Sequence, residues 1–254
     1  MRKALITGAS SGLGRDLARI LSGRGYDLIL VARRRDRLEA LARTLPTRTR
    51  IICADLSDAG RCKSLYDETR SEQIDLLINN AGFGQFGAFC ETQLDTELRM
   101  IHTNIRAVHI LTKLFLRDLV ARDSGYILNV ASMAGFMPGP GMACYYATKA
   151  YVLRLTQSIG EELRRRKSAV YIGMLCPGPV DTEFGATADV RFCMPSLPSV
   201  EVASYAVDQM FRRKRLIIPG KTMKVMKFAA RLAPESLLAR ICGFVNRPSL
   251  FPLF

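Results

Sequence analysis

A tyrosine and a lysine four residues apart are the residues of this sequence best suited to catalysis. Tyr145 and Lys149 lie in a helical pattern, so both side chains project from one face of the helix. A phenol with a pKa of about 10 exchanges protons poorly at neutral pH, and a nearby ammonium would lower that pKa. The pair therefore predicts a general acid and base that acts on a substrate oxygen. Tyr146 is three residues from Lys149 and is the second choice.

Two polar residues elsewhere in the chain could assist this pair. Ser132 follows the fifth predicted strand, where ligands bind in an open α/β sheet, and its hydroxyl could hold a substrate oxygen. The alternative for Ser132 is a turn or helix-cap role. Asn104 lies in a long helical pattern, where asparagine is an unfavourable guest, and a buried structural amide is one explanation for it.

The other reactive residue types do not form a recognisable catalytic or metal-binding pattern. Seven cysteines are widely spaced with no C-x-x-C pair, which favours reduced thiols and predicts no metal site. Cys144 is adjacent to Tyr145, but neither His102 nor His109 has a sequence context typical of its base. Thiol catalysis is therefore disfavoured.

Glycines directly after the first strand predict a phosphate-binding turn. The segment TGASSGLG, residues 7–14, leads into an apolar helical pattern. Glycine lets the backbone approach a pyrophosphate, whose charge meets the N–H groups and the positive end of the helix. The candidate contacts are Gly8, Ser10, Ser11, Gly12, Leu13 and Gly14.

The end of the second strand predicts which nicotinamide dinucleotide such a turn would serve. An acidic residue at this point would bind the ribose 2′-hydroxyl, but the strand ends in Ala32 and three arginines follow. Guanidinium groups suit a phosphate, so Arg33 is the first choice and Arg34 the second for a 2′-phosphate, which predicts NADP(H). The alternative is that the arginines are solvated residues that begin a helix.

Short apolar runs alternate with helical patterns to about residue 220 and predict an α/β fold. We expect a single-domain Rossmann fold with a doubly wound, seven-stranded parallel sheet flanked by helices. The helices should begin near Gly12, Arg35, Ala59, Leu94, Tyr145 and Val200. The predicted strands are Lys3 to Thr7, Asp27 to Val31, Arg50 to Cys53, Leu76 to Asn79, Tyr126 to Val130, Val170 to Leu175 and Leu216 to Ile218.

Composition limits the setting in which the protein acts. The chain lacks the roughly 18 consecutive apolar residues of a membrane span, and its first strand has neither the length nor the cleavage site of a signal peptide. We therefore expect a cytoplasmic protein. Its 37 basic and 23 acidic residues give a net charge of +14, but the basic runs suit solvated helix ends better than nucleic-acid binding.

Five motifs in chain order resemble the short-chain dehydrogenase/reductase family. They are the glycine turn, the segment NNAG at 79–82, Ser132, Tyr145-x-x-x-Lys149 and the segment PGPVDT at 177–182. The segments VARR at 31–34 and IPG at 218–220 are most similar to its NADP-preferring, broad-specificity reductase branch. The resemblance covers residues 1–220 and implies an NADPH-dependent enzyme that interconverts a ketone or aldehyde and an alcohol.

The resemblance also implies roles for individual residues. Asn104 would organise a water that links Lys149 to solvent, and residues 183–198 would form a lid over the substrate. The lid residues Phe184, Phe192 and Met194 favour an apolar substrate. Further cofactor contacts would come from Asp55, Leu56, Asn80, Ala81, Gly82, Pro177, Gly178, Val180 and Thr182.

The last part of the chain, residues 221–254, reads as a basic, amphipathic helical extension. Its apolar residues could pack on the subunit's own core or on another subunit of a homo-oligomer, or they could lie on an anionic membrane. A membrane-associated reductase of lipid or steroid ketones is therefore one alternative function. Another is a catalytically silent NADP-binding regulator or scaffold, which would be expected to lose Tyr145 or Lys149.

Overall fold

A central parallel sheet organises the protein. The computed structural model describes residues 2–192 and 194–248, and the side chains of residues 191, 192, 247 and 248 lie outside that description. Within these residues, seven strands pair in parallel in the order β10-β6-β5-β4-β1-β2-β3. They are β1 (Lys3–Thr7), β2 (Asp27–Ala32), β3 (Thr49–Cys53), β4 (Leu76–Asn79), β5 (Tyr126–Val130), β6 (Tyr171–Leu175) and β10 (Leu216–Ile217). This order confirms the predicted doubly wound Rossmann fold.

Helices cover both faces of the sheet. Successive residues of β1 alternate between the two faces, because Ala4 and Ile6 belong to one core cluster and Leu5 belongs to the other. One face is covered by α1 (Gly12–Gly23), α2 (Arg35–Ala42) and α8 (Ser199–Phe211). The other is covered by α3 (Ala59–Thr69), α5 (Val108–Ala121) and α6 (Ala143–Arg165). Burial on both faces explains why the strands are nearly continuous apolar runs.

The helical pattern that precedes β5 is not one uninterrupted α-helix. Helix α4 (Leu94–Ile101) and α5 are joined by a π-helical turn over His102–Ala107, which the sequence did not predict. Asn104 lies in this turn, and its side chain is committed to hydrogen bonds with the backbone of Phe83. π turns are frequent at functional sites, because they shift side chains relative to the regular helical pattern.

The segments after β6 surround the carboxyl ends of the strands. They include the short pair β7 (Val180–Asp181) and β9 (Leu197–Pro198), helix α7 (Phe184–Ala188) and strand β8 (Val190–Phe192). Strand β8 pairs antiparallel with β11 (Asn246–Pro248) near the end of the described chain. The predicted lid is therefore joined to the C-terminal extension by backbone hydrogen bonds.

The C-terminal extension forms two helices, α9 (Lys221–Leu232) and α10 (Glu235–Val245). We call residues 221–246 the C-terminal cap. Met223 and Cys242 are its buried apolar residues, and Asn246 is buried beside them at the start of β11. None of the helices in the described part of the chain has the length and apolar character needed to cross a membrane.

Candidate active site

The carboxyl ends of β1, β2, β4, β5 and β6 open into one cleft with a volume of about 680 Å³. Ligands of doubly wound sheets bind at this edge, where the strand order reverses. The cleft is lined by most of the residues that the sequence singled out, from Gly8 and Arg33 at one part of its wall to Ser132 and Tyr145 at another. Gly14 and Asn104 are the two predicted residues that lie behind the wall instead.

The glycine turn is fixed by hydrogen bonds to the loop after β4. The Thr7 hydroxyl accepts hydrogen bonds from the backbone N–H groups of Asn80 and Ala81, both at 3.0 Å. The Asn80 side-chain amide donates to the carbonyl oxygens of Thr7 and Gly8 at 3.0 and 3.2 Å. These bonds explain why the segments TGAS and NNAG occur together in one chain.

Glycine is required in the turn by close backbone approaches. A Cβ at Gly14 would lie 2.3 Å from the Gly8 carbonyl oxygen, which shows that Gly14 packs the turn instead of facing a ligand. Gly12 has a φ of +48°, and a Cβ on it would lie 2.9 Å from the Thr182 side chain. The glycine turn and the segment 177–182 therefore meet at the cleft, and only a residue without a side chain allows this approach at position 12.

Arg34, not Arg33, makes the side-chain contacts to the glycine turn. Its guanidinium donates to the hydroxyls of Ser10 and Ser11 at 3.3 and 2.9 Å and forms an ion pair with Glu183 at 3.2 Å. Glu183 also pairs with Arg37 at 2.5 Å. Arg33, the first choice for a 2′-phosphate, lines the same cleft, and the parallel pairing of Thr7 with Val31 brings Arg34 beside the two serines. Glu183, the first residue of the predicted lid, was not expected to take part.

Asp55 lies at the end of the next strand. Although partial burial would raise its pKa, hydrogen bonding to Ser57 and the positive charges of Arg33 and Arg99 hold that pKa below its ordinary value. The Ser57 backbone N–H donates to the Asp55 carboxylate at 2.9 Å. Asp55 and the adjacent Leu56 both line the cleft, so an ionised acceptor is available at this point of its wall.

Tyr145 and Lys149 lie one helical turn apart on α6, as their spacing predicts. Tyr145 is 9% exposed and Lys149 is 5% exposed, and both line the cleft. The Lys149 ammonium donates to the Val130 carbonyl oxygen at 2.9 Å and lies 5.7 Å from the centre of the Tyr145 ring. Burial lowers the pKa of Lys149 from 10.5 to about 8.

The expectation that Lys149 lowers the pKa of Tyr145 is wrong for this structure. Burial raises the pKa of Tyr145 well above its ordinary value, and the Ser132 hydroxyl opposes this shift by hydrogen bonding. The physical reason is that a buried phenolate would lose its hydration, and this cost of burial is the largest influence on the pKa of Tyr145. Tyr145 is therefore a neutral phenol that can donate a proton.

Ser132 has the turn-capping role that its sequence position suggested, and it also lines the cleft beside Tyr145. Its side chain accepts a hydrogen bond from the Ala134 backbone N–H at 3.1 Å and so caps a 3₁₀ turn, and it also faces the Tyr145 phenol in the cleft. The neighbouring Cys144 offers no alternative nucleophile, because burial raises the pKa of its thiol.

Asn104 is 1% exposed and lies behind Lys149. Its amide donates to the Phe83 carbonyl at 2.9 Å and to the Thr148 hydroxyl at 3.1 Å, and its oxygen accepts from the Phe83 N–H at 3.1 Å. A Cβ on Gly82 would lie 2.9 Å from the Asn104 oxygen and 3.5 Å from the Lys149 ammonium. Only glycine at position 82 therefore leaves space between these two groups.

Tyr146 has a structural role. Its hydroxyl donates to the Asn246 side chain at 3.1 Å, and the Asn246 amide donates to the Pro140 carbonyl at 3.3 Å. These bonds tie the C-terminal cap to the catalytic helix. The Tyr146 hydroxyl is therefore engaged by the cap, whereas Tyr145 lies beside Ser132.

Sequence reasoning missed that the C-terminal cap forms part of the cleft wall. Cap residues from both helices face Tyr145 and the lid residues Phe184 and Met194 across the cleft. The apolar repeat along the extension was visible in the sequence, but it did not show which surface the repeat would cover. The side chain of Phe192 lies outside the described residues. The cap residues that line the cleft include Met223, Met226, Ala230, Leu238, Ile241 and Val245.

Comparisons with known proteins agree with this geometry. Nodulation protein G of Rhizobium sp. (strain N33) is 30% identical over 235 residues, which cover 88% of this chain and 95% of that protein. A short-chain dehydrogenase from Sphingobium yanoikuyae, solved in complex with NADPH, is 31% identical with a TM-score of 0.83 and covers 93% of this chain and 94% of its own.

A second solved structure is the bulky-bulky ketone specific alcohol dehydrogenase from Comamonas testosteroni. It is 29% identical, with a TM-score of 0.78 and coverage of 91% of this chain and 92% of its own. The short chain dehydrogenase sequence profile matches residues 2–190, about three quarters of the chain. The profile match includes the glycine turn and the cluster of Ser132, Tyr145 and Lys149. The chain thus belongs to the short-chain dehydrogenase family of oxidoreductases.

Proposed function

We propose that this oxidoreductase uses NADPH to interconvert a ketone or aldehyde and an alcohol, with Tyr145 as the proton donor and acceptor. The observation that carries the proposal is the buried, neutral Tyr145 phenol beside Ser132 in a cleft that also contains the glycine turn. Two strands, β1 and β4, lie between β2 and β5 in the sheet, so the ends of β2 and β5 are about 14 Å apart. That span suits an extended dinucleotide between Arg34 and Tyr145.

The residues present fit the cofactor. Positive φ angles at Gly8 and Gly12 and the absence of side chains there leave a cradle at the start of α1 for a pyrophosphate. Thr182, Asn80 and Asp55 would bind other parts of the molecule from the neighbouring strand ends. When bound, the reduced nicotinamide would supply the hydride that a carbonyl carbon accepts.

The protein's own residues would manage the carbonyl oxygen. Ser132 would hold the oxygen by a hydrogen bond, and Tyr145 would donate its phenolic proton to that oxygen as negative charge develops on it. Burial keeps the phenol protonated, which is the form that reduction requires.

Lys149 and Asn104 would restore the proton. Lys149 has a pKa of about 8, so it carries a proton at neutral pH and can release one readily. Its position between Val130 and the space beside Gly82 places it next to the Asn104 oxygen. We propose that Asn104 positions a water there, through which protons pass from solvent to Lys149.

The substrate would be an apolar and bulky carbonyl compound. Phe184, Met194 and the inner face of the C-terminal cap contribute apolar side chains around Tyr145. The similar alcohol dehydrogenase of Comamonas testosteroni is described as specific for ketones that are bulky on both sides. Residues 1–220 would then form the catalytic domain, and the C-terminal cap would close its substrate cavity. The last residues of the predicted extension, 249–254, lie outside the described residues.

NADP(H) is favoured over NAD(H) by the arginines that follow β2. Arg33 and Arg34 both line the cleft where a 2′-phosphate would lie, and Ala32 replaces the acidic residue that would repel it. The similar Sphingobium yanoikuyae enzyme was solved with NADPH. Arg33→Ala and Arg34→Ala should each weaken NADPH binding and spare NADH binding, as measured by titration calorimetry. Preference of the wild type for NADH would contradict the assignment.

The decisive test is Tyr145→Phe, assayed by NADPH oxidation with a panel of ketones, aldehydes and quinones. We expect kcat to fall about 10²- to 10⁴-fold while NADPH affinity is retained, because only the transferable proton is removed. Tyr146→Phe is the matched control and should keep turnover within about tenfold, since Tyr146 holds the cap. Unchanged turnover by Tyr145→Phe would refute the assignment. Absence of turnover in the wild type, with NADPH bound, would support the regulator or scaffold alternative.

A further inference from the structure

The outer face of the C-terminal cap carries an apolar stripe. Val225, Phe228 and Leu232 are 68%, 65% and 71% exposed and lie on one side of α9. Met223 and Met226, on the opposite side of the same helix, face the cleft. Helix α9 therefore has two apolar faces, and among residues 2–192 and 194–248 only the inner face lies against the cleft while the outer face is exposed.

Basic residues border this stripe. Lys227 and Arg231 lie on α9 between the outer apolar face and the inner one, and Lys224 reaches the Tyr205 hydroxyl at 3.1 Å. The cap contains five basic residues and one acidic residue, Glu235. The five are Lys221, Lys224, Lys227, Arg231 and Arg240.

Helix α10 also exposes apolar residues at the cleft. Ile241 is 47% exposed and lines the cleft, and Leu237, at the same exposure, lies one helical turn before it. The side chain of Ile241 thus contacts both the outer surface of the cap and the substrate cavity.

Charge decides which partner suits the outer face. A second copy of this chain in a two-fold interface would present the same surface. The five basic residues and one acidic residue of one cap would then face the same six charged residues of the other cap. An anionic bilayer instead attracts the basic border while its acyl region accepts the apolar stripe. The anionic surface of a membrane is therefore the better match.

We infer that the C-terminal cap docks the protein on anionic membranes through Val225, Phe228 and Leu232, bordered by Lys227 and Arg231. The docked cap places the opening at Ile241 against the acyl region, so that a membrane-dissolved carbonyl compound enters the cleft directly. The docking stands on the cap alone, whereas the delivery of a carbonyl substrate rests on the proposed function.

Vesicle flotation of the full chain tests docking without any need for turnover. Vesicles of phosphatidylcholine with about 30% phosphatidylserine should bind the protein, vesicles of phosphatidylcholine alone should bind it weakly, and raised salt should release it. Lys227→Glu with Arg231→Glu should weaken binding about 30-fold or more, because each cation near the surface contributes about fivefold. Phe228→Asp should weaken binding similarly by removing a phenyl ring from the bilayer.

Matched variants elsewhere on the surface control for charge and hydrophobicity. Lys113→Glu with Arg117→Glu has the same spacing on exposed positions of α5, and Val200→Asp replaces an exposed apolar residue of α8. Both should bind vesicles within about twofold of the wild type. Failure of the wild type to float with anionic vesicles, or equal flotation by the cap variants and controls, would overturn the inference. Self-association of the wild type that Phe228→Asp abolishes in sedimentation equilibrium, without vesicle binding, would assign the face to a second copy.

Substrate delivery has a separate readout. Phe228→Asp should reduce cyclohexanone, a water-soluble ketone, as fast as the wild type, but should reduce a long-chain methyl ketone held in anionic vesicles about tenfold more slowly. Equal rates on the vesicle-held ketone would refute delivery through the cap. If the wild type floats but reduces neither ketone, docking stands and the proposed reaction fails.

Discussion

Replacing Lys149 with methionine should remove the pH dependence of stability that the burial of its ammonium produces. Burial lowers the pKa of Lys149 in the folded protein from 10.5 to about 8. Below pH 8 the lysine is charged in the folded and unfolded states, so the folded state bears the full cost of burying the charge. Between pH 8 and pH 10.5 the folded state has released the proton while the unfolded state still holds it, and the free energy of unfolding rises.

The two pKa values set the size of the effect. A pKa difference from 10.5 to about 8 corresponds to roughly 3 kcal/mol at about 1.4 kcal/mol per decade. Most of that gain should appear by about pH 10, the practical limit for reversible unfolding. The hydrogen bond from Lys149 to the Val130 carbonyl is lost in the variant at every pH. Its loss changes the free energy of unfolding by a constant amount and does not change how that free energy depends on pH.

Urea unfolding of the wild type and Lys149→Met between about pH 7 and pH 10, followed by circular dichroism, measures this difference. Other titrating groups are common to both proteins and cancel in the comparison. We expect the stability of the wild type relative to the variant to rise by about 2–3 kcal/mol across this range. Lys113→Met removes an exposed lysine from α5 and serves as the control for the loss of a lysine. The burial argument would be refuted if the difference in unfolding free energy between the wild type and Lys149→Met stayed constant to within about 0.5 kcal/mol over this pH range.

Three further substitutions test the construction of the site. Gly14→Ala should lower cofactor affinity at least about tenfold in a fluorescence titration and destabilise the fold, because its Cβ would lie 2.3 Å from the Gly8 oxygen. Asn129→Ala should lower the free energy of unfolding by about 2–4 kcal/mol in urea, since it removes three buried side-chain hydrogen bonds. Glu183→Gln should tighten NADPH binding about two- to fivefold in calorimetry and leave NADH binding unchanged, because Arg34 loses a competing anion. Equal effects of Glu183→Gln on both cofactors would contradict that competition.

The sequence by itself determined the sheet and the spacing of the catalytic residues. Each sheet strand was predicted to within one residue at either end, because strands buried on both faces must be apolar along their whole length. Tyr145 and Lys149 face the same way because helical geometry fixes the direction of residues four apart. The turn formed by glycines 8, 12 and 14 was also predicted from the sequence, since this turn leaves no room for a side chain at these positions.

Only the tertiary structure decided the contacts between segments far apart in the chain. The pKa of Tyr145 depends on how completely neighbouring elements exclude water, and its direction was opposite to the one predicted from Lys149 alone. Asn104 meets Phe83 through a π turn, and Arg34 meets Ser11 through the register of two strands. The C-terminal cap had an amphipathic pattern in the sequence, but a pattern does not specify which surface it covers. Folding placed one apolar face of the cap over the cleft and left the other exposed.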